Sequence, residues 1–139
     1  QAVQYYKLAI DLQQSKALEN RAVESTAGLA RALLASGQQE QALDAAGRVV
    51  EYIREKNLVG VDEPVRVYLN IYHVLAAGQD PRAGEVLQTA YQQLMERADR
   101  IDDPEQRRSY LENVAANREV RQLYYTLYGE PGASRRERV

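Results

Sequence analysis

The residues able to do chemistry are few. His73 is the only histidine, and cysteine is absent. Without a thiol there is no disulfide, no thiolate nucleophile and no cysteine-ligated zinc, and one imidazole would have to recruit carboxylates for the rest of any metal shell. His73 stands between Tyr72 and Val74 in a helical pattern, where a lone imidazole reads as a structural or surface residue. Ser15, Ser25, Ser36, Ser109 and Ser134 lack a G-x-S-x-G context, and a single base could serve only one of them. Asp102 and Asp103 are adjacent carboxylates, but Pro104 follows them. Asp before Pro at a helix start has a sufficient role in satisfying the first free N–H groups and the positive end of the helix dipole. Gly28, Gly47 and Gly84 fall inside helical stretches and form no phosphate-binding loop, and no GxxxxGK[ST] occurs. They read as positions that permit close helix packing, each at a helix-propensity cost of ~1 kcal/mol. Arg135, Arg136 and Arg138 form one basic cluster, interrupted by Glu137, in a solvated tail. The expectation is a protein that is no enzyme and uses no metal and no cofactor.

Composition narrows the partners. A formal net charge of −2 offers no clustered basic surface for nucleic acid. No run of 18 apolar residues exists, so no membrane span is expected. What remains is binding to protein. The 139 residues suffice for one domain with a sizeable core. The chain opens QAVQYYKLAIDL, already in helical pattern, without a secretory signal and without an initiator Met, as expected of a processed, truncated or incompletely recovered sequence. Cytoplasmic is the default location, with an extracellular one open if a leader has been removed. Ten Tyr with no Phe and no Trp is an unusual aromatic usage. Tyrosine can supply aromatic bulk where its hydroxyl reaches water or a partner.

The elements follow from periodicity. Thr26 to Arg54 reads as two amphipathic helices joined at Gly37, where a left-handed residue is needed. Leu29, Ala30, Leu33 and Leu34 mark the first, and Ala42, Leu43, Ala46, Val49, Val50 and Ile53 the second, all at 3-and-4 spacings. Val67 to Met95 aligns with this unit without a gap, placing Gly78 on Gly37, Ala83 on Ala42, Leu87 on Ala46 and Ala90 on Val49. Ala2, Tyr6 and Ala9 repeat the spacing of Ala42, Ala46 and Val49, so residues 1–18 read as the orphan second helix of an earlier unit. A period near 40 residues means stacked helix pairs. The expected class is all-α, an α-solenoid of two and a half to three repeats. Its parts are 1–18, a repeat over 20–56, a repeat over 63–101, a terminal helix over 104–128, and a disordered tail from 129 to 139. Asp62 is expected to cap the helix opened by Pro64, and Asp80 the one opened by Pro81.

The offsets around Gly37 and Gly78 resemble the tetratricopeptide repeat. The first unit offers Leu29-Ala30, Gly37 and Ala42/Ala46/Val49, and the second Asn70-Ile71, Gly78 and Ala83/Leu87/Ala90. No aromatic opens the first helix of the first unit, and Asn70-Ile71 stands where the family has Leu and a small residue. Residues 97–120, RADRIDDPEQRRSYLENVAANREV, resemble the segment closing repeat arrays in large bacterial regulators, where an ATPase or cyclase module precedes the array. This implies a protein–protein interaction scaffold, with a sensor or adaptor array of a larger ATP-dependent regulator as the alternative.

The resemblance also implies a concave groove lined by first helices. Carried onto this chain, it comprises Glu24, Ala27, Arg31 and Leu34, then Val65, Tyr68, Tyr72 and Leu75. Such a groove accepts a helix or an extended peptide, unless the terminal helix packs over the tyrosines and closes it. The Lys/Asn set with which some members clamp a C-terminal carboxylate is missing from these positions. The stripe Val3, Tyr6 and Ile10 lacks a preceding helix to pack on. Either upstream residues cover it or another copy does. In the second case Leu111, Val114, Val120, Leu123, Tyr124 and Leu127 at the far end are natural donors, and contacts between unlike ends give rings, filaments or tubes.

Overall fold

The computed structural model describes residues 2–58 and 60–131, with the side chains of residues 2–6 and 9–14 outside that description. The described residues form six helices and no strand. They are α1 (Ala2–Ala35), α2 (Gln39–Lys56), α3 (Pro64–Ala77), α4 (Arg82–Asp99), α5 (Pro104–Glu112) and α6 (Ala115–Tyr128). The expectation of an all-helical chain holds. α1 packs antiparallel on α2, α3 on α4, and α1 and α2 both lean on α3, while α6 lies against α4 and α3.

The core repeats at the 41-residue offset seen in the sequence. Val23, Ala27 and Ala30 are buried in α1, and Pro64, Tyr68 and Ile71 are buried in α3 at the matching places. Ala45, Ala46 and Val49 in α2 likewise match Val86, Leu87 and Ala90 in α4. The α1–α2 contact is built on alanine: Ala27, Ala30, Ala42, Ala45 and Ala46 are all fully buried. Their small size lets the backbones approach, whereas Tyr68, Ile71, Leu75, Leu87 and Leu94 fill the next pair.

Three expectations about helix limits are corrected. First, no break separates residues 1–18 from residues 20–36: α1 runs unbroken to Ala35. Between Gln14 and Ala27 the sequence holds no Gly or Pro, and Lys, Ala, Leu, Glu and Arg dominate, so nothing interrupts the ladder. Second, residues 104–128 are two helices. Val114 takes an extended backbone (φ −86°, ψ 117°) between α5 and α6. The broken end of α5 is satisfied from α6: Asn117 Nδ2 donates to Tyr110 O (3.0 Å) and Arg118 donates to Glu112 O (3.2 Å). Third, Gly78 is not left-handed, at φ −87°. Gln79 (φ 53°) takes that role, and its turn repeats the hydrogen bonds of the Gly37 turn one residue late. Gly37 itself is left-handed (φ 82°), as expected. Gly78 is instead needed for space, since a Cβ there would lie 2.8 Å from Leu43 Cδ2.

The caps divide. Asp103 Oδ1 accepts from Glu105 N (3.1 Å), with Pro104 at the helix start. Asp80 Oδ1 accepts from Arg82 N (2.9 Å), and the Arg82 guanidinium holds the Asp80 carboxyl below the usual carboxylate range. Asp62 does not cap α3: Glu63 occupies that place and makes no side-chain cap bond, because Pro64 removes one N–H that would need it. Of the expected tail, Gly129 ends α6 with φ 86°, and residues 132–139 lie outside the described residues.

Candidate binding surfaces

α3 is apolar except for Arg66, Asn70 and His73, which recur at i, i+4 and i+7 and so define its outward stripe. Three hollows open along this stripe. Glu24, Asp62, Glu63, Arg66, Val67 and Asn70 enclose about 440 Å³. Arg31, Arg66, Leu69, Asn70, Ala115, Ala116 and Glu119 enclose about 500 Å³. A third, of about 320 Å³, shares Arg66 and Ala116 and reaches Arg97, Tyr110 and Asn117. A fourth, of about 390 Å³, continues past Val65 and Arg97 to Gln93, Glu96 and Arg100. Shared residues make the four one groove, walled by α1, α3, the start of α6 and the end of α4.

The groove differs in its lining from the expected one. Glu24 and Arg31 line it, and Val65 borders it while being only 8% exposed. Ala27, Tyr68 and Leu75 are core residues, 0–1% exposed, and so cannot face a ligand. Leu34 and Tyr72 are half-buried against the core. At Ala27, Leu34, Tyr68, Tyr72 and Leu75 the family positions carried over are those at which this chain packs its own helices. Tyr68 faces inward, its Oη enclosed without a hydrogen-bond partner of good geometry. Burial pushes its hydroxyl up, and the Gln93 side chain opposes that in part. Arg66, Asn70, Ala115, Ala116 and Glu119 were missed, although for Arg66 and Asn70 the polar stripe on an otherwise apolar helix was a readable signal.

α6 is a wall of this groove, not its lid. His73 Nε2 lies 3.1 Å from Glu119 Oε2 and ties α3 to α6. Arg66 pairs with Glu63 (3.2 Å), whereas among the described residues Arg31, Arg97 and Arg100 meet no carboxylate within ion-pair distance. Among the described residues the groove thus presents the guanidinium groups of Arg31, Arg97 and Arg100 beside the carboxylates of Glu24, Asp62 and Glu96. Among the described residues no three His, Asp or Glu side chains gather as a metal site would require. No helix of the described residues is long and apolar enough to cross a membrane.

The expected self-association set separates likewise. Leu111 and Val120 are buried, at 8% and 0%. They form the seat of α5 and α6 and are not donors to another copy. Leu123 and Tyr124 are half-buried, Tyr124 stacking on Tyr91 with ring centroids 3.8 Å apart. Val114 and Leu127 remain exposed, at 45% and 56%. The side chains of Val3, Tyr6 and Ile10 lie outside the described residues. Sequence reasoning missed Leu8, Leu18 and Leu29, which are 59%, 65% and 50% exposed on α1. Comparison with known proteins finds no matching family model, no matching curated protein and no matching solved structure.

Proposed function

We propose that this chain is a non-enzymatic protein–protein interaction scaffold, a tetratricopeptide-like α-solenoid that binds polypeptide in its groove and associates with further copies of itself. The groove along Arg66 and Asn70 carries the reading. It is continuous, open, mixed polar and apolar in its lining and walled by α1, α3, the start of α6 and the end of α4, a shape that fits an extended segment better than a small molecule. The 41-residue offset in burial supports the repeat architecture. Leu8, Leu18 and Leu29, exposed on α1, are the apolar side chains that such association would draw on at this end. A ring or filament of unlike ends would have to use Val114, Leu127 and Tyr128 at the far end.

The test uses a random-peptide display library selected on the purified chain. Recovered peptides should lose binding at least tenfold to Ala116→Trp, which fills two of the hollows, with helical circular dichroism unchanged. Peptides that bind the variant equally well would show that the groove is not the binding surface.

A further inference from the structure

The two helix pairs carry the same hollow. One, of about 330 Å³, lies between α1 and α2. The other, of about 390 Å³, lies between the start of α3, the end of α4 and the loop before α3. The two correspond at the 41-residue offset: Val23 and Tyr52 line the first where Pro64 and Gln93 line the second. Likewise Glu19 and Lys56 in the first stand where Gly60 and Arg97 stand in the second. In the first hollow the chain itself satisfies the cation. Lys56 Nζ meets Glu19 Oε1 at 3.1 Å and lies 5.8 Å from the centre of the Tyr52 ring. In the second hollow both kinds of partner are replaced, the ring by Gln93 and the carboxylate by Gly60. A side chain at 60 would be strained, because φ is +87° and a Cβ would lie 3.0 Å from Nδ2 of the buried Asn20. Arg97 therefore meets no carboxylate among the described residues, and neither does Arg100 in the same hollow. Glu96 also lines this hollow, beyond ion-pair distance of both guanidinium groups.

From this difference between the two hollows we infer that the second one takes a carboxylate of the bound polypeptide, an Asp or Glu side chain held by Arg97 and Arg100. The inference deepens the groove reading proposed above and rests on it, since this hollow is one end of that groove. Glu19 gives the pattern, a carboxylate against the cation at the end of the second helix of its pair. Two guanidinium groups at i and i+3 on one helix face repel one another, and a carboxylate between them replaces that repulsion with charge-assisted hydrogen bonds. The planar fork of arginine matches both carboxylate oxygens. Both arginines are exposed, so the anchor is screened by salt. The neighbouring hollow is lined by Asp62 and Glu63, which would repel a run of acids. The partner is thus an extended segment with a single acidic anchor at the Arg97 end and neutral or basic residues beside it.

The probes are the peptides recovered from the display selection, synthesised with amidated ends so that only a side-chain carboxylate can act as the anchor. Each should carry an Asp or Glu whose replacement by Asn or Gln weakens binding roughly tenfold. On a chain carrying both Arg97→Gln and Arg100→Gln the same replacement should cost nothing, with helical circular dichroism unchanged. Added salt should narrow the difference between the acid and amide forms. Peptides that lose binding to Ala116→Trp yet carry no acidic residue, or whose amide forms bind as well as the acids, would overturn the carboxylate anchor and leave the groove standing. An acid whose replacement costs as much on the double variant as on the parent chain would place the anchor elsewhere and overturn it too. Peptides indifferent to Ala116→Trp would overturn the groove reading and this inference with it.

Discussion

Gly28 lies inside α1 and Gly78 directly after the end of α3, and the two differ in space. A Cβ at Gly28 would meet nothing within 4 Å, so this glycine is not a packing device, contrary to its sequence reading. Gly28→Ala should stabilise the fold by about 1 kcal/mol, by helix propensity and a less flexible unfolded chain, raising Tm by about 3 °C. Gly78→Ala should cost roughly 1–2 kcal/mol, because Leu43 must move aside. Thermal melts of the two variants check both signs. Of the other two helical glycines, Gly47 lies under the Arg82 guanidinium and Gly84 under the Tyr128 hydroxyl. Tyr91 carries the pH prediction. Burial first, and the neighbouring Tyr125 hydroxyl second, push its pKa from 10.0 up to about 12. The fold thus prefers the neutral phenol. Its contribution is fully present below pH 10 and is lost as the pH rises through about 12. The denaturation midpoint should fall across that window, and Tyr91→Phe should flatten the fall.

At the scale of elements, the α5–α6 break is held by side chains reaching backwards. Asn117 is 3% exposed and donates to Tyr110 O, a carbonyl that α5 itself leaves free. Asn117→Ala should cost about 1–3 kcal/mol in a urea titration, since a buried acceptor loses its donor. It should also open the link at Asn113–Val114 to proteolysis before the rest of the chain. The far end of α6 is seated by aromatic contact: Tyr91 stacks on Tyr124, Tyr124 leans on Tyr128, and Gln88 donates to the Tyr128 hydroxyl (3.0 Å). The tyrosine-rich composition finds a physical reason here. These rings straddle the boundary between core and water, where Phe would leave no partner for the polar groups around it.

At the scale of the whole molecule, α1 joins two roles that the sequence appeared to assign to separate helices. Its second half is the first layer of the helical stack, and residues 2–18 run on past the end of α2. A turn near Leu18 would have let that first half swing, whereas one continuous helix fixes its direction relative to the stack.

Periodicity in the sequence was enough to establish the all-helical class, the 41-residue offset, the Gly37 turn and the Asp103 cap, because each rests on local rules of backbone geometry and helix-face spacing. The run of strong helix formers from Ser15 to Arg21 also contained the continuity of α1, once weighed against a repeat pattern that suggested a break. Only the tertiary structure decided which side chains face outward. Ala27, Tyr68, Leu75, Leu111 and Val120 are apolar at helical spacing, and such spacing marks an apolar face without naming what covers it. The break at Val114 is held by Asn117 and Arg118 reaching back from the next helix, and the need for glycine at 78 comes from Leu43 on a neighbouring helix. Local sequence decides where a helix can form; which of its faces remains free is decided by what packs against it.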